Sequence, residues 1–194
     1  AAKGLGKKGG AEAVAALESS VMSDRFWAVQ AASAKALGEI RTTAARDALF
    51  RCLAVRHPKA RRGVVAALGQ YKGDTDVLDA LRPLAKRDRS WFVEAEACRS
   101  VGKLRLPGSF EILAANFDRQ SFRQVVRVGC IDGLVELRGE AGLELLSRAA
   151  GYGEPFQGRP PAVGAIARLG LFFPDRKKTL GEEIAGYLED PDFR

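Results

Sequence analysis

The side chains that could bind a metal ion or act as a nucleophile are few, and their spacing builds no known site. His57 is the only histidine among the 194 residues, and Cys52 precedes it by five positions. A zinc site needs three or four ligands, so these two residues predict none, and Cys52 suits a packed helical segment. Cys98 and Cys130 are expected in the apolar core, because a reactive thiol needs exposure and a lowered pKa. We therefore predict no catalytic residue, metal or cofactor in this chain.

Arginine and tryptophan side chains offer the chemistry of a binding surface. The predicted partner-binding edge consists of five arginines near predicted turns: Arg25, Arg56, Arg61, Arg62 and Arg89. Guanidinium groups along one edge would bind phosphate groups or an acidic protein face. Trp27 and Trp91 occupy equivalent positions beside this edge, where they would stack on bases or other planar ligands.

Both features also have a plainer interpretation. The arginines would form a solvated row of turns with ion pairs inside each repeat. The tryptophans would fill the junctions between successive repeats, which is the role that we expect for them. Acidic residues are interspersed along the edge and weaken the case for nucleic acid: Asp24, Asp88, Glu94 and Glu96.

A repeat with spacings of 31 to 35 residues places these side chains. A Leu-Gly step or its equivalent recurs, and its second residue is the anchor of each repeat: Gly6, Gly38, Gly69, Gly102, Val135 and Gly170. Apolar or small side chains recur nine, five and one residues before the anchor, which is one stripe of a helix. The polar residue eight before the anchor is expected just outside this stripe. The anchor glycine suits the C-terminal cap of the helix.

A second apolar segment precedes each of these helices, so every repeat is predicted to be a helical hairpin. One hairpin cannot bury the apolar stripes of both its helices, so the hairpins must stack. The predicted fold is therefore all-α, an α-α superhelix or solenoid forming one domain over residues 1–194. Its units are expected at 1–8, 11–41, 44–72, 74–105, 108–138, 140–173 and 176–194. The incomplete first and last units, without polar capping repeats, predict a fragment of a longer chain.

The composition excludes several classes of protein. The net charge is +7, of which residues 1–97 carry +6 and residues 98–194 carry +1, so the basic excess belongs to the N-terminal half. The apolar runs are too short to span a membrane, so no membrane partner is expected. Three cysteines without a paired spacing do not form a disulfide framework. A reducing, cytoplasmic setting is therefore expected.

The stacked hairpins, the Asp-containing turns and the second helices ending in Ala-Leu-Gly resemble HEAT repeats over about the whole chain. An ordered set of segments further resembles the C-terminal HEAT-type region of aminopeptidase N-like zinc metallopeptidases. These segments are DRFWAVQAASAKALGEI (24–40), HPKARRGVVAALGQY (57–71), RSWFVEAEACRSVGKLRLP (89–107), SFRQVVRVGCIDGLVEL (121–137) and YGEPFQGRPPAVGAIARLG (152–170).

The resemblance implies a noncatalytic role for this chain. Members of that family remove N-terminal amino acids using zinc on a His-Glu-x-x-His helix and a Gly-x-Met-Glu-Asn segment, and neither motif occurs here. The implied role is a helical lid that packs over the catalytic domain of the same parent chain and controls peptide access to its active-site chamber. The alternative is a free-standing scaffold whose partner is another protein or a nucleic acid.

Overall fold

The structure is a computed structural model that describes Gly4 and residues 10–190, without the side chain of Leu188. Eleven α-helices form residues 10–190: α1 (Ala11–Ser23), α2 (Trp27–Ile40), α3 (Thr43–Cys52), α4 (Pro58–Leu68), α5 (Thr75–Lys86), α6 (Trp91–Leu104), α7 (Ser109–Phe117), α8 (Val125–Leu137), α9 (Ala141–Ala150), α10 (Arg159–Gly170) and α11 (Lys177–Leu188). Short 3₁₀ turns at Phe122–Gln124 and Pro174–Arg176 precede α8 and α11. This part of the chain contains no strand. The predicted all-α solenoid fold is confirmed.

Consecutive helices pair into five hairpins, from α1–α2 to α9–α10, and α11 packs on α10. The second helices of the hairpins contact one another in order, α2 with α4, α4 with α6, α6 with α8 and α8 with α10. The first helices form the other layer, in which α1 contacts α3 and α5 contacts α7. The anchor Gly6 and the predicted partial unit 1–8 lie outside the described residues, apart from Gly4.

Local side-chain chemistry sets where several helices begin. Thr42 Oγ1 accepts a hydrogen bond from the Ala45 N–H at 3.3 Å, before α3. Asp74 Oδ1 accepts one from the Val77 N–H at 3.1 Å, before α5. His57 Nδ1 accepts one from the Lys59 N–H at 3.2 Å, and Pro58 follows as the first residue of α4. These contacts satisfy N–H groups that the helix itself leaves without partners, so the only histidine has a capping role.

The apolar stripe of the second helices forms the core. In the five repeats that the structure describes, the residues one before the anchor are buried: Leu37, Leu68, Val101, Leu134 and Leu169. The small residues five before it are fully buried as well: Ser33, Val64, Ala97, Cys130 and Ala165. Val29, nine before its anchor, departs from the pattern and is 38% exposed. The repeated stripe is thus the surface on which neighbouring hairpins stack.

The predicted capping role of the anchor glycines is confirmed for Gly69, which is the C-cap residue of α4, and is wrong for Gly38, Gly102 and Gly170. Gly38 and Gly102 lie inside α2 and α6, and Gly170 is the last residue of α10. Gly69 does follow α4, but its φ of −60° is an ordinary helical value. The left-handed cap conformation falls three residues after the anchor, on arginines: Arg41, Arg105 and Arg138.

Close approach of neighbouring second helices explains the glycines instead. A Cβ at Gly38 would lie 2.9 Å from the Ala67 Cβ of α4. A Cβ at Gly69 would lie 2.7 Å from Ser100 Oγ of α6. A Cβ at Gly102 would collide with the backbone carbonyl of Gly133 in α8. Only a residue without a side chain lets these helices pack at this distance.

Candidate functional site

One edge of the solenoid carries the turns that join the two helices of each hairpin, at residues 24–26, 53–57, 87–90, 118–124 and 151–158. We call it the turn edge. Arg25, Arg56 and Arg89 lie in the first three of these turns, immediately before α2, α4 and α6, and all three are exposed. Arg62, in the first turns of α4, is exposed as well. The structure therefore gathers four of the five predicted arginines at one edge.

These exposed basic groups have no carboxylate partner among the described residues. The same holds for further exposed basic side chains on the turn edge: Lys59, Lys86, Arg87 and Arg123. Of these, Lys59 places its Nζ 4.5 Å from the centre of the Trp27 ring, a cation-π contact. An edge of uncompensated positive charge attracts acidic groups.

Arg61 does not belong to this exposed edge, and its prediction as an edge residue is wrong. It is 8% exposed, and its Nη2 and Nε donate to the two carboxylate oxygens of Asp88 at 2.7 and 2.8 Å. Its Nη1 also donates to the carbonyls of Val55 and Arg56 at 2.9 and 3.1 Å. Arg61 therefore joins the second hairpin to the turn of the third.

Other carboxylates of the turn edge are also paired with arginines. Glu94 is 1% exposed, accepts the Asp88 N–H at 2.8 Å and pairs with Arg119 Nη2 at 2.9 Å. Arg127 is buried and pairs with both Asp118 and Glu154 at 2.6 Å. Three of the acidic residues interspersed along the edge are thus paired with arginines: Asp88, Glu94 and Glu96. Asp24 has no arginine partner in the described part of the chain, and its carboxylate accepts the Phe26 N–H at 2.8 Å.

The polar residues eight before the anchor were expected just outside the buried stripe, and this prediction is wrong. All four are buried and polar: Gln30, Arg61, Glu94 and Arg127. Their hydrogen bonds reach the turns of the same or the adjacent hairpin, so they form a buried polar column between units. The recurrence of polar side chains at one column was the signal for it.

Asp118, a partner of Arg127, shows how the arginine of this column affects a carboxylate. Burial raises the pKa of Asp118, but hydrogen bonds from Arg148 and Arg127 lower it more, so this pKa lies below its usual range. Arg148 Nη2 approaches the second carboxylate oxygen at 2.9 Å. Asp118 therefore stays ionised at neutral pH and offers no free negative charge against a partner.

The two tryptophans join adjacent hairpins. The Trp27 ring stacks on the His57 ring with centroids 5.9 Å apart and planes 14° apart. The Trp91 ring stacks on Phe122 of the next turn at 6.4 Å and 6°. Both contacts agree with the expected junction role. Trp91 nevertheless remains 46% exposed, so one side of its stack is open to a partner.

Exposed aromatic side chains extend along the turn edge beyond the tryptophans. They are Phe26, Phe92, Phe122, Tyr152 and Phe156. Sequence reasoning missed them, because a large apolar side chain beside a helix start is usually assigned to the core. Exposed aromatic groups next to arginines are the usual composition of protein-binding surfaces.

Three grooves follow one another along the turn edge. The first, of 420 Å³, lies between Arg25, Trp27 and Arg56. The second, of 710 Å³, is lined by Arg56, Arg87 and Arg89, and the third, of 1070 Å³, by Arg87 and Trp91. Arg56 thus separates the first groove from the second, and Arg87 separates the second from the third. The grooves form a row along the same edge.

The three cysteines are free and buried. Burial raises the pKa of Cys52 to about 12. A hydrogen bond with Cys98, together with burial, raises the pKa of Cys130 well above its usual range. Within residues 10–190, no three His, Cys, Asp or Glu side chains are placed to hold a metal ion. No helix of the described part is long and apolar enough to cross a membrane.

Comparison with known families decides how the repeat is classified. The family described as HEAT repeats matches residues 1–59 and 52–135, which together cover more than half of the chain. The chain belongs to the HEAT-repeat family. The family assignment agrees with the stacked hairpins seen in the structure. No curated protein sequence matches this HEAT-repeat chain.

Two solved structures share the fold of this HEAT-repeat chain. The complex of CpcE and CpcF of phycocyanin lyase from Nostoc sp. PCC7120 is 20% identical, with a TM-score of 0.56 over 96% of this chain and 72% of that chain. Human deoxyhypusine hydroxylase in complex with glycerol is 18% identical, with a TM-score of 0.50 over 88% of this chain and 78% of that chain. At these identities the likeness concerns the HEAT-type fold alone.

Proposed function

We propose that this HEAT-repeat chain is a noncatalytic scaffold that binds an acidic protein partner through the turn edge. One observation carries the proposal: within the described residues the exposed basic side chains of the edge have no carboxylate partner, whereas the side chains of Asp88 and Glu94 beside them are buried and paired with arginines. A partner that brings carboxylates meets positive charge without first having to break an ion pair. One structural neighbour is a complex of two proteins, which supports protein binding as the use of the fold.

The noncatalytic part of the proposal is supported by the state of the candidate side chains. His57 caps α4 and stacks on Trp27, so both its ring face and its Nδ1 are occupied. The thiols of Cys52 and Cys130 have raised pKa values, which disfavours the nucleophilic thiolate. Buried free cysteines also suit the reducing, cytoplasmic setting that we propose for the chain.

The sequence resemblance suggests a narrower form of this function. In that form the acidic partner is the catalytic domain of an aminopeptidase-like parent chain, and the solenoid is a lid that controls peptide access. The ordered segments between residues 24 and 170 support it. Neither the HEAT-repeat match nor the two solved structures adds support, so the identity of the partner rests on the sequence segments.

A binding experiment on the whole chain tests the proposal. We expect a fluorescein-labelled peptide of alternating glutamate and serine to bind at low salt, with an affinity that falls as salt rises. Replacing Arg56 and Arg89 together by glutamine should weaken binding about tenfold. The matched control replaces Arg41 and Lys72, two exposed basic residues away from the turn edge, and should leave the affinity unchanged.

Two results would overturn the proposal. One is equal loss of affinity in the edge variant and the control variant, because the attraction would then come from net charge alone. The other is tighter binding of single-stranded RNA or duplex DNA than of the acidic peptide at the same salt. That result would indicate that the turn edge binds nucleic acid instead of an acidic protein.

A further inference from the structure

The row of grooves changes character along the turn edge. The first two grooves have arginines on their rims, at Arg25, Arg56 and Arg89. The third lies between α5 and α7 and has an apolar wall of Pro83, Ile112 and Ala115, closed on one side by Trp91. An occupant of the whole row therefore meets basic side chains in every groove and this apolar wall in the third.

The floor of the third groove carries no net charge. Glu94 and Arg119 line it and pair with each other at 2.9 Å, and Asp88 is paired with Arg61. On the rim, Arg82 pairs with Asp79 at 3.6 Å, and the positive charges of Lys86 and Arg87 are only partly offset by the exposed Glu111. A partner side chain that enters this groove gains apolar contact with Trp91 and meets no uncompensated buried charge.

The spacing of the grooves fits an extended polypeptide. Packed helices lie about 8 to 10 Å apart, so consecutive grooves repeat at about that distance. An extended chain rises about 3.3 Å per residue, so each step along the row corresponds to about three residues. A peptide whose functional side chains recur every third residue would place one of them in each groove.

We infer that the partner segment is an extended acidic peptide with two carboxylates and one aromatic side chain at intervals of about three residues. The carboxylates occupy the two arginine-rimmed grooves, and the aromatic side chain packs on Trp91 in the third. This inference rests on the proposed function and adds to it the register of the peptide, that is, which of its side chains lies in which groove. A nucleic acid fits the row less well, because the apolar wall and Glu111 of the third groove offer its phosphates no favourable contact.

A peptide titration followed by NMR tests the register. The chain has two tryptophans, so the indole N–H signals report the first and third grooves separately. The probe peptides are Glu-Ser-Ser-Glu-Ser-Ser-Phe, the same pattern in reverse order, and a scramble of the same composition with adjacent glutamates. We expect one of the two spaced peptides to bind about fivefold more tightly than the scramble and to shift the Trp91 signal.

Variants of the chain locate the aromatic contact. Trp91→Ala should remove the advantage of the phenylalanine peptide, so that it binds no better than its alanine version. The alanine version should bind wild type and Trp91→Ala equally, which also shows that the variant is folded. Phe172→Ala is the matched control, because Phe172 is an exposed aromatic residue that packs under Arg138 away from the turn edge.

The outcomes distinguish a failure of the proposed peptide spacing from a failure of the proposed function. Equal binding of the spaced and scrambled peptides would overturn the register while leaving an acidic docking edge. Loss of the phenylalanine advantage in Phe172→Ala but not in Trp91→Ala would overturn the assignment of the third groove. Absence of binding by every acidic peptide would overturn the proposed function itself.

Discussion

Arg56 and Arg61 are five residues apart, and they differ in burial, in partners and in the role that we assign to them. Arg61 is buried, and four hydrogen bonds tie it to Asp88 and to two backbone carbonyls. Arg56 is exposed, and its side chain has no carboxylate partner in the described part of the chain. The same contrast separates Arg127 from Arg123. The comparison shows that arginines near these turns have two roles. Buried arginines join adjacent hairpins, and exposed arginines are available to a partner.

The largest effect is expected from breaking a buried pair. Arg61→Met should lower the free energy of unfolding by about 3 kcal/mol, because it leaves the Asp88 carboxylate buried without its partner. Arg56→Met should change it by no more than about 0.5 kcal/mol, as for other exposed sites. Urea denaturation of both variants measures this contrast. Equal destabilisation would show that the two arginines do not differ in the way described.

A smaller effect is expected where hairpins are joined by close packing instead of charge. Gly102→Ala should destabilise the chain by about 2 kcal/mol, because the new methyl group displaces the backbone of Gly133. Gly164→Ala is the control, because nothing lies within 4 Å of a Cβ at that helical position. It should stabilise by about 0.5 to 1 kcal/mol. Thermal melting that ranks the two variants in the opposite order would contradict the close approach of α6 and α8.

The smallest effect is expected on the pH dependence of stability, which should change when a paired carboxylate is replaced but not when an unpaired arginine is replaced. The pKa of Asp118 is lowered in the folded chain from the usual value of about 3.9. Its contribution to stability is therefore fully present above about pH 4 and is lost as the pH falls through the folded pKa. Asp118→Asn should flatten the loss of stability on acidification, measured by urea denaturation between neutral and acid pH. Arg56→Gln should leave that slope unchanged, since Arg56 has no carboxylate partner among residues 10–190.

The sequence predicts the fold well and the role of each arginine poorly. The apolar stripe recurs in the second helix of each hairpin, so the stacked hairpins follow from the repeat spacing and from the helical periodicity of the apolar residues. Arg61 lies eight residues before its anchor, at the border of this stripe, and only the stacking of two hairpins brings it against Asp88. The glycine columns mislead for a similar reason. Gly38 stands near a helix end, where a cap is the usual role, and its contact with Ala67 exists only between units.

The aromatic part of the edge was also beyond prediction from sequence. Phe92 and Trp91 are adjacent at the start of α6, and large apolar side chains there normally turn inward. Both are about half exposed in the structure, whereas the small residues Ala95 and Ala97 of the same helix are buried. The arginines of the edge could be named from the sequence, but their lack of partners could not.

Arginine-selective dicarbonyl labelling, quantified by mass spectrometry with and without the acidic peptide, tests the central claim most directly. In the free folded chain we expect Arg25, Arg56 and Arg89 to react rapidly and the buried Arg61 and Arg127 to stay unmodified. Added peptide should protect Arg56 and Arg89 and leave the other rates unchanged away from the turn edge. Labelling of Arg61 at the rate of Arg56, or no protection at saturating peptide, would contradict the account.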